Sequence, residues 1–371
     1  MAEQSKRSLA AAYMLEGWKK KLITGQPLFL TFFVTARCNA RCGHCFYPPQ
    51  SGRRELDLDE YARIAASLAP VVKLNITGGE PFLRKDVDQI CTLLHRGGGT
   101  LQTTIATNGT QVDETVRATR AILERCPGLL LELQLSIDGP PADHDRIRGV
   151  KGSFDRLMDT WRGLCEVRRD FPGLVIRFNY TFSAMNQSLF DRTHDFVRDE
   201  LGEDLEMVLI RGDAVDPSFK AFDPRLYRAA SERLAVRRPS EGGLFGAIMR
   251  ERVRREKEII GNVASGQRLP FTCSSGLLSG IVSETGRVHP CEMLEDSFGN
   301  LRDHGYDFRG LWRSAVARRF RHRIAAERCS CTFETALRLS MSFDTRETCR
   351  FVGRGVAAWL SGGVSGTTTA P

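Results

Sequence analysis

The sequence predicts an α/β fold: a parallel sheet wrapped by helices, followed by a small α+β segment that carries clustered cysteines. Two observations predict the first part. From residue 28, short β-branched or leucine-rich runs alternate with longer amphipathic ones, and six of the short runs recur at crossover spacing. Six strands joined by helical crossovers imply a parallel sheet, which right-handed connections can curl into a barrel or partial barrel. A third observation marks the second part, because after Pro270 the pattern gives way to a hairpin, a helix and late cysteines.

In chain order, residues 1–27 read as a helical extension ahead of the first strand. The strand-like runs are 28–34, 71–76, 101–106, 130–137, 175–182 and 205–210, and they place a barrel unit over 28–215. Helix-like runs fall between them near 57–68, 85–96, 112–125, 153–169 and 187–199. Residues 216–265, rich in Arg, Glu and Ala at helical spacing, read as a helical linker. Residues 266–350 form the small cysteine-bearing unit: residues 280–291 predict a β-hairpin turning at Glu284-Thr285-Gly286, and 308–326 a helix. The remainder, 351–371, is a tail whose end, SGGVSGTTTAP, has a composition expected to be disordered. No internal repeat is visible.

Apolar residues make up 42% of the 371 and charged residues 26%, enough for a sizeable core and inconsistent with wholesale disorder or a fibrous chain. No apolar run approaches the ~20 residues of a membrane span. The first residues place a basic cluster after a short apolar stretch, the reverse of a secretory signal, so a cytoplasmic location is expected. There, 11 cysteines are expected to be thiols, metal ligands or cluster ligands rather than disulfides. The net charge of +8 concentrates in 225–256 and 313–328, which read as helices with solvated faces. Without an aromatic-studded basic groove, nucleic acid is not an expected partner; an acidic substrate or solubility accounts for the charge.

Immediately after the first strand comes Cys38-x3-Cys42-x2-Cys45. Three thiolates on one tight loop can hold three corners of a [4Fe–4S] cube, leaving the fourth iron open to a substrate or cosubstrate. A zinc site is the competing reading, although structural zinc takes four ligands in paired units.

This spacing resembles that of the radical S-adenosylmethionine (radical SAM) superfamily, whose fold is a partial (β/α)6 TIM-like barrel. Further pieces fall at predicted strand ends, where α/β folds keep their chemistry. Thr77-Gly78-Gly79-Glu80-Pro81 after strand two resembles the family's GGE element, which implies that its backbone and Glu80 hold the amino group of S-adenosylmethionine. Glycine suits a backbone that must approach a ligand closely. Thr107-Asn108-Gly109 follows strand three, and Ser136-Ile137-Asp138-Gly139 follows strand four, ahead of HDRIRG at 144–149. The resemblance implies that Asn108 lines the site and that Ser136 and Asp138 bond the ribose or methionine portion. Asn179 and residues 210–212 are expected to face the adenine. His44 occupies a position often aromatic in the family, and its ring is expected to pack on adenine. The implied chemistry is reductive cleavage of S-adenosylmethionine to a 5′-deoxyadenosyl radical that abstracts a substrate hydrogen.

The second group is Cys273-x12-Gly286-x4-Cys291, then Cys329-Ser-Cys331. Together with Phe298-Gly299-Asn300-Leu301 and Trp312 it resembles the SPASM/Twitch extensions of radical SAM enzymes. Cys273, Cys291, Cys329 and Cys331 are thereby implied as ligands of one auxiliary [4Fe–4S] cluster, in a truncated, Twitch-like arrangement. Four ligands would close the cluster and three would leave an iron open; a zinc ribbon-like knot is the competing reading. Cys91, Cys126 and Cys165 fall on predicted helices and read as buried thiols, with Cys349 structural.

The resemblance implies an oxidoreductase in which the auxiliary cluster accepts an electron from the substrate radical. Dehydrogenation or oxidative bond formation would result, on a small molecule such as a sugar or on a side chain of a ribosomal peptide. The alternative is a redox-neutral enzyme, such as a peptide epimerase or rearrangement catalyst, and a scaffold without catalysis is a third reading. About 27 residues precede strand one, short for a fused leader-recognition domain, so a peptide substrate would call for a separate recognition protein. A flavodoxin or ferredoxin is implied as electron donor.

Overall fold

The computed structural model describes residues 12–50, 52–236 and 243–362. Its centre is a parallel sheet of β1 (Phe29–Thr35), β2 (Lys73–Gly78), β3 (Gln102–Thr107), β4 (Leu130–Ser136), β5 (Leu174–Phe182) and β6 (Asp204–Leu209). Each neighbouring pair in this series is parallel, as the crossover pattern requires. Helix α1 (12–24, ending in a π-helical turn, Lys20–Thr24) precedes β1. The crossovers are α2 (Leu58–Ser67), α3 (Val87–Gly98), α4 (Val112–Arg125), α5 (Pro141–Arg148), α6 (Ser153–Asp170) and α7 (Phe190–Asp195). All six predicted strands fall within two residues of the observed ones; α5, only eight residues long, was not predicted.

Local chemistry explains the element ends. Asp57 accepts from Glu60 N at 2.9 Å while Glu60 Oε2 accepts from Asp57 N at 3.0 Å, a reciprocal cap that starts α2. The outward faces of the strands, such as Leu131, Leu133 and Leu135 on β4 or Phe178 and Phe182 on β5, are buried under the helices. The alternate positions of β5, among them Arg177 and Asn179, are only half-buried and form the inner face. That face is polar: Arg177 meets Glu206 at 3.1 Å, and Gln102 meets Glu132 at 3.1 Å.

Downstream of β6 come α8 (Pro224–Val236) and α9 (Gly243–Ala264), then the hairpin β7 (Ser279–Val282) and β8 (Arg287–His289) with the short β9 (Gly299–Asn300). The hairpin turns where predicted, with Gly286 at φ +86° and its N–H donating to Ser283 O. It does not stand as a separate sheet. β7 pairs in parallel with β1, giving one nine-stranded sheet in the order β6-β5-β4-β3-β2-β1-β7-β8-β9. Helices α10 (Phe308–Trp312), α11 (Ala315–Glu327), α12 (Glu334–Ser342) and α13 (Thr345–Gly362) complete the fold. Helix α13 runs through position 351, where the tail was expected to begin, and Phe351 is buried. The end of the tail expected to be disordered lies, from 363, outside the described residues, as does 1–11 of the expected helical extension. Among the described residues no helix is long and apolar enough to cross a membrane.

Candidate functional site

The first cysteine loop leaves β1 and is pinned from every neighbouring strand end. From β2, Gly79 N donates to Thr35 O and Glu80 N to Arg37 O, both at 2.8 Å. From β3, Asn108 Nδ2 donates to Asn39 Oδ1 at 2.9 Å, and Asn39 Nδ2 in turn to Thr110 Oγ1 at 2.8 Å. From α5, Arg148 O accepts from Arg41 N, and beyond β6 Val215 N donates to Cys45 O. Cys38, Cys42 and Cys45 are thereby held together at the carboxyl ends of the strands, each thiol close enough to a neighbour to feel its charge. Burial pushes the Cys38 thiol up to about 11 and raises Cys42 and Cys45 as well. Opposing this at Cys42 is Arg148, whose Nη1 lies 3.8 Å from Sγ.

The GGE element has a second reason for its glycines, besides access for a ligand. A Cβ on Gly78, at φ +135°, would sit 2.2 Å from Thr35 O, and one on Gly79 would sit 2.1 Å from Arg37 O. The two glycines let β2 close against the cysteine loop. Glu80 is buried and already engaged: Oε1 accepts from Phe82 N and Thr107 Oγ1, and Oε2 from Asn108 N at 2.7 Å. Its carboxyl is pushed up to about 6 by burial against these donors. Ser136 closes β4 half-buried, facing the same end of the barrel.

Asp138 is fully buried and forms an ion pair with Arg148 at 2.6 Å, while its Oδ1 accepts from Thr181 N at 3.0 Å. His44 approaches Asp138 to 3.9 Å and packs edge-on against Phe219, and burial pushes its ring down to about 4, leaving it neutral. Arg148 escaped the sequence reading although HDRIRG contains it; its spacing alone gave no hint that it turns toward Cys42.

The second group also converges. Cys273, Cys291 and Cys331 pack in one small cluster with Phe333 and Ala336. Cys329 lies within hydrogen-bonding reach of Cys273 and close to Cys291 and Cys331; that contact draws Cys273 down to about 6 and raises Cys329. Cys91 and Cys126 are buried on the helical side of the sheet, as expected, whereas Cys165 is only half-buried and Cys349 is exposed on α13.

Both donor sets fit iron–sulfur clusters. Cluster ligation replaces thiol protons by iron, which removes the cost that burial imposes on each bare thiolate. Three thiols on one loop, and a second set of thiols from the segments flanking the hairpin and from the α11–α12 connection, are donor sets of the kind that hold such clusters.

Between the two groups lies a cavity of about 340 Å3. Phe46 and Tyr47 from the first loop wall one side; Ile281, Ser283, Cys291 and Glu292 wall the other. The hairpin turn is docked onto the first loop by buried Glu284, which accepts from Tyr47 Oη and from Arg53 Nη1 at 2.7 Å. Arg211, just past β6, spans the same gap through Glu292 at 2.9 Å.

Residues 32–183 match the radical SAM superfamily, and residues 273–332 match SPASM, an iron–sulfur cluster-binding domain. The chain is 30% identical over 313 residues to the AdoMet-dependent heme synthase of Methanosarcina barkeri (strain Fusaro / DSM 804), covering 79% of this chain and 84% of that relative. Streptococcus suis SuiB bound to S-adenosylmethionine shares the fold at a TM-score of 0.58 and 18% identity, over 84% of this chain and 72% of that one. So does anSMEcpe with bound AdoMet and the Cp18Cys peptide, at 0.59 and 14%, over 90% and 99% of the two chains.

Proposed function

We propose, from the premise that this chain belongs to the radical SAM superfamily and carries its SPASM iron–sulfur domain, that it is an oxidoreductase acting on a substrate held between its two cysteine groups. Its cofactors are S-adenosylmethionine, a catalytic [4Fe–4S] cluster and an auxiliary [4Fe–4S] cluster. When bound, they supply a 5′-deoxyadenosyl radical at the first group and an electron acceptor at the second. Cys38, Cys42 and Cys45 are assigned to the catalytic cluster, and Cys273, Cys291, Cys329 and Cys331 to the auxiliary one. His44, Gly78, Gly79, Glu80, Asn108, Ser136 and Asp138 are assigned to the S-adenosylmethionine side. The engaged state of Glu80 and Asp138 gives them a positioning part there: they fix strand ends and Arg148 rather than offering free carboxylates.

The observation that carries the oxidative reading is the cavity, walled by residues following Cys45 on one side and by Cys291 on the other. A group placed there lies against Cys291 and against the segment that follows Cys45, which supports a substrate that exchanges an electron with the second group after losing a hydrogen near the first. Its volume, about 340 Å3, is at the small end of ligand sites and suits a sugar-sized molecule or one peptide side chain. SuiB has been crystallised with its precursor peptide SuiA and anSMEcpe with the Cp18Cys peptide, which supports the peptide alternative. Phe33, Phe46 and Tyr47 give that wall an aromatic surface.

Anaerobic reconstitution tests this. About eight irons per chain are expected for two [4Fe–4S] clusters, and only four would remove the auxiliary cluster. Cys38→Ala, Cys42→Ala or Cys45→Ala should abolish 5′-deoxyadenosine formation. Cys273→Ala with Cys291→Ala should spare uncoupled cleavage and stop product formation. A product lighter by two hydrogens marks oxidation; unchanged mass would instead establish the redox-neutral alternative.

A further inference from the structure

One wall of the cavity between the two cysteine groups is a face of the β7–β8 hairpin. Ile281 pairs across the strands with His289, and Ser283 N donates to Arg287 O at 2.9 Å, so these four side chains share a face. All four line the cavity. Ile281 and Cys291 are buried, whereas Arg287 is exposed and stands at the mouth. The other charged groups of the lining already have partners: Arg53 meets Glu284 at 2.7 Å, and Glu292 meets Arg211 at 2.9 Å. Arg287 has no carboxylate within ion-pairing distance among the described residues. Beside it, Ser283 Oγ and Thr285 Oγ1 lie 2.9 Å apart, and Ser283 Oγ accepts from Arg287 N at 3.1 Å. Each hydroxyl carries one proton, and only one of them is used between the pair. Whichever donates, the other keeps its proton for a ligand.

We propose that the substrate carries a carboxylate, which Arg287 and the Ser283–Thr285 hydroxyl pair hold at the mouth of this cavity. The proposal rests on the reading above that this cavity is the substrate site, and adds to it a substrate class and a specificity-determining residue. A guanidinium offers a planar fork that matches a carboxylate, and the spare hydroxyl adds a further donor. Since the other charges are paired, a neutral ligand would leave Arg287 without a counter-ion, and a monoanion supplies it. A phosphate dianion would bring more charge than one uncommitted guanidinium can balance. The aromatic wall of Phe33, Phe46 and Tyr47 then receives an apolar body, and the anchor at the mouth sets how far that body reaches toward Cys291. The same group is met whether the carboxylate belongs to a small molecule or to an acidic side chain of a peptide.

The test uses the reconstituted full chain, with binding measured by ligand-observed NMR. Benzoate and benzamide form one pair of probes, matched in shape and different in charge. Acetyl-Ala-Glu-Ala-amide and acetyl-Ala-Gln-Ala-amide form the other. Millimolar binding is expected of molecules this small. In at least one pair the acid should bind about tenfold more tightly than the amide, as a charge-assisted contact would give, and the pair that binds more tightly identifies the source of the carboxylate. Arg287→Gln should remove that preference at unchanged iron content, and Arg287→Lys should restore part of it. Ile281→Trp fills the cavity and should weaken acid and amide alike; Leu294→Trp, from another part of the lining, takes its place if the first variant loses iron. Equal binding of acid and amide in both pairs, with both lost in the filled variant, would overturn the carboxylate and leave the cavity as the substrate site. Absence of acid binding, or a preference that survives Arg287→Gln, would also overturn it. So would phenyl phosphate that binds more tightly than benzoate and loses affinity in Arg287→Gln. Binding indifferent to the filled cavity would instead remove the substrate-site reading on which the proposal stands.

Discussion

Arg211 Nη2 lies 2.9 Å from Glu292 Oε2, so the residue just past β6 is bonded to the residue that follows Cys291. Its guanidinium also sits 4.9 Å from the ring of Phe46, next to Cys45, and 5.2 Å from that of Phe333, two residues past Cys331. One half-buried cation therefore touches segments attached to both cysteine groups. If the gap between them sets where substrate sits, loosening this clamp should harm coupling more than cleavage. Arg211→Met should leave iron content and 5′-deoxyadenosine formation near normal while product per 5′-deoxyadenosine falls tenfold or more, since small misplacements of a reacting carbon are costly. Arg211→Lys keeps the charge without the flat stacking surface and should recover part of the loss. Equal loss of cleavage and product would show that the residue acts elsewhere.

A second bridge makes stability depend on pH. Arg302, beside β9, donates to Glu60 on α2 at 2.6 and 2.9 Å, and Tyr306 Oη adds a third bond at 2.8 Å. These hold the Glu60 carboxyl down at about 2, against an ordinary value of 4.5. A carboxyl lowered on folding stabilises above its unfolded value, and that contribution fades as pH falls from about 4.5 to about 2. It should amount to about 2 kcal/mol at neutral pH, below the full shift because Arg302 is partly open to water. Glu60→Gln keeps the cap on α2 and should lower stability by that amount at pH 7, with the difference vanishing near pH 2. Urea titrations at pH 7, 5 and 3 check it; a pH-independent loss would point to packing instead.

How far the sequence reached is clearest by comparing Cys42 with Arg148. The cysteines were legible because their chemistry is carried by spacing within one loop, and the strands because alternation and crossover length are local properties. Arg148 meets Cys42 only after α5 folds back across 106 residues, and nothing in HDRIRG distinguishes an arginine facing solvent from one facing a thiol. Arg211 is similar, since its partners Phe46, Glu292 and Phe333 come from three distant segments. The hairpin was predicted, but its pairing with β1 was not, because β7 is four residues long and its register is set by the edge it joins. Gly78 and Gly79 were picked out for access to a ligand, whereas the contact that excludes a side chain is with the backbone of residues 35 and 37.

That contact makes Gly79 a test of the first loop. Gly79→Ala places a methyl 2.1 Å from Arg37 O and 3.0 Å from Cys38 Cβ, so the loop must move. About 1–3 kcal/mol of destabilisation is expected for forced overpacking, together with loss of the catalytic cluster's share of the iron. Gly353→Ala is the control, in α13 with no atom within 4 Å of the added carbon, and should be neutral or slightly stabilising. Full iron content in Gly79→Ala would show that the loop accommodates the methyl and that the glycine serves another purpose.

The pair of Asp138 and Arg148 should behave differently from the outer bridges because neither side chain can reach water when the other is lost. Arg148 Nη2 is 2.6 Å from the fully buried Asp138, and Nη1 is 3.8 Å from Cys42 Sγ. Removing one member of a buried pair strands the other, typically at about 3–5 kcal/mol. Arg148→Met therefore leaves Asp138 as a buried anion close to the thiol loop, raising the cost of making Cys42 a thiolate and of seating iron there. Asp138→Asn leaves the guanidinium, which still favours that thiolate. Both single variants should lose stability in denaturant titrations, but iron uptake at the first group should fall more in Arg148→Met. The double variant should be more stable than the two single losses predict, since it removes both stranded charges. Additive losses would show that Asp138 and Arg148 are not energetically coupled, and iron uptake falling more in Asp138→Asn would mean that Arg148 contributes nothing at Cys42.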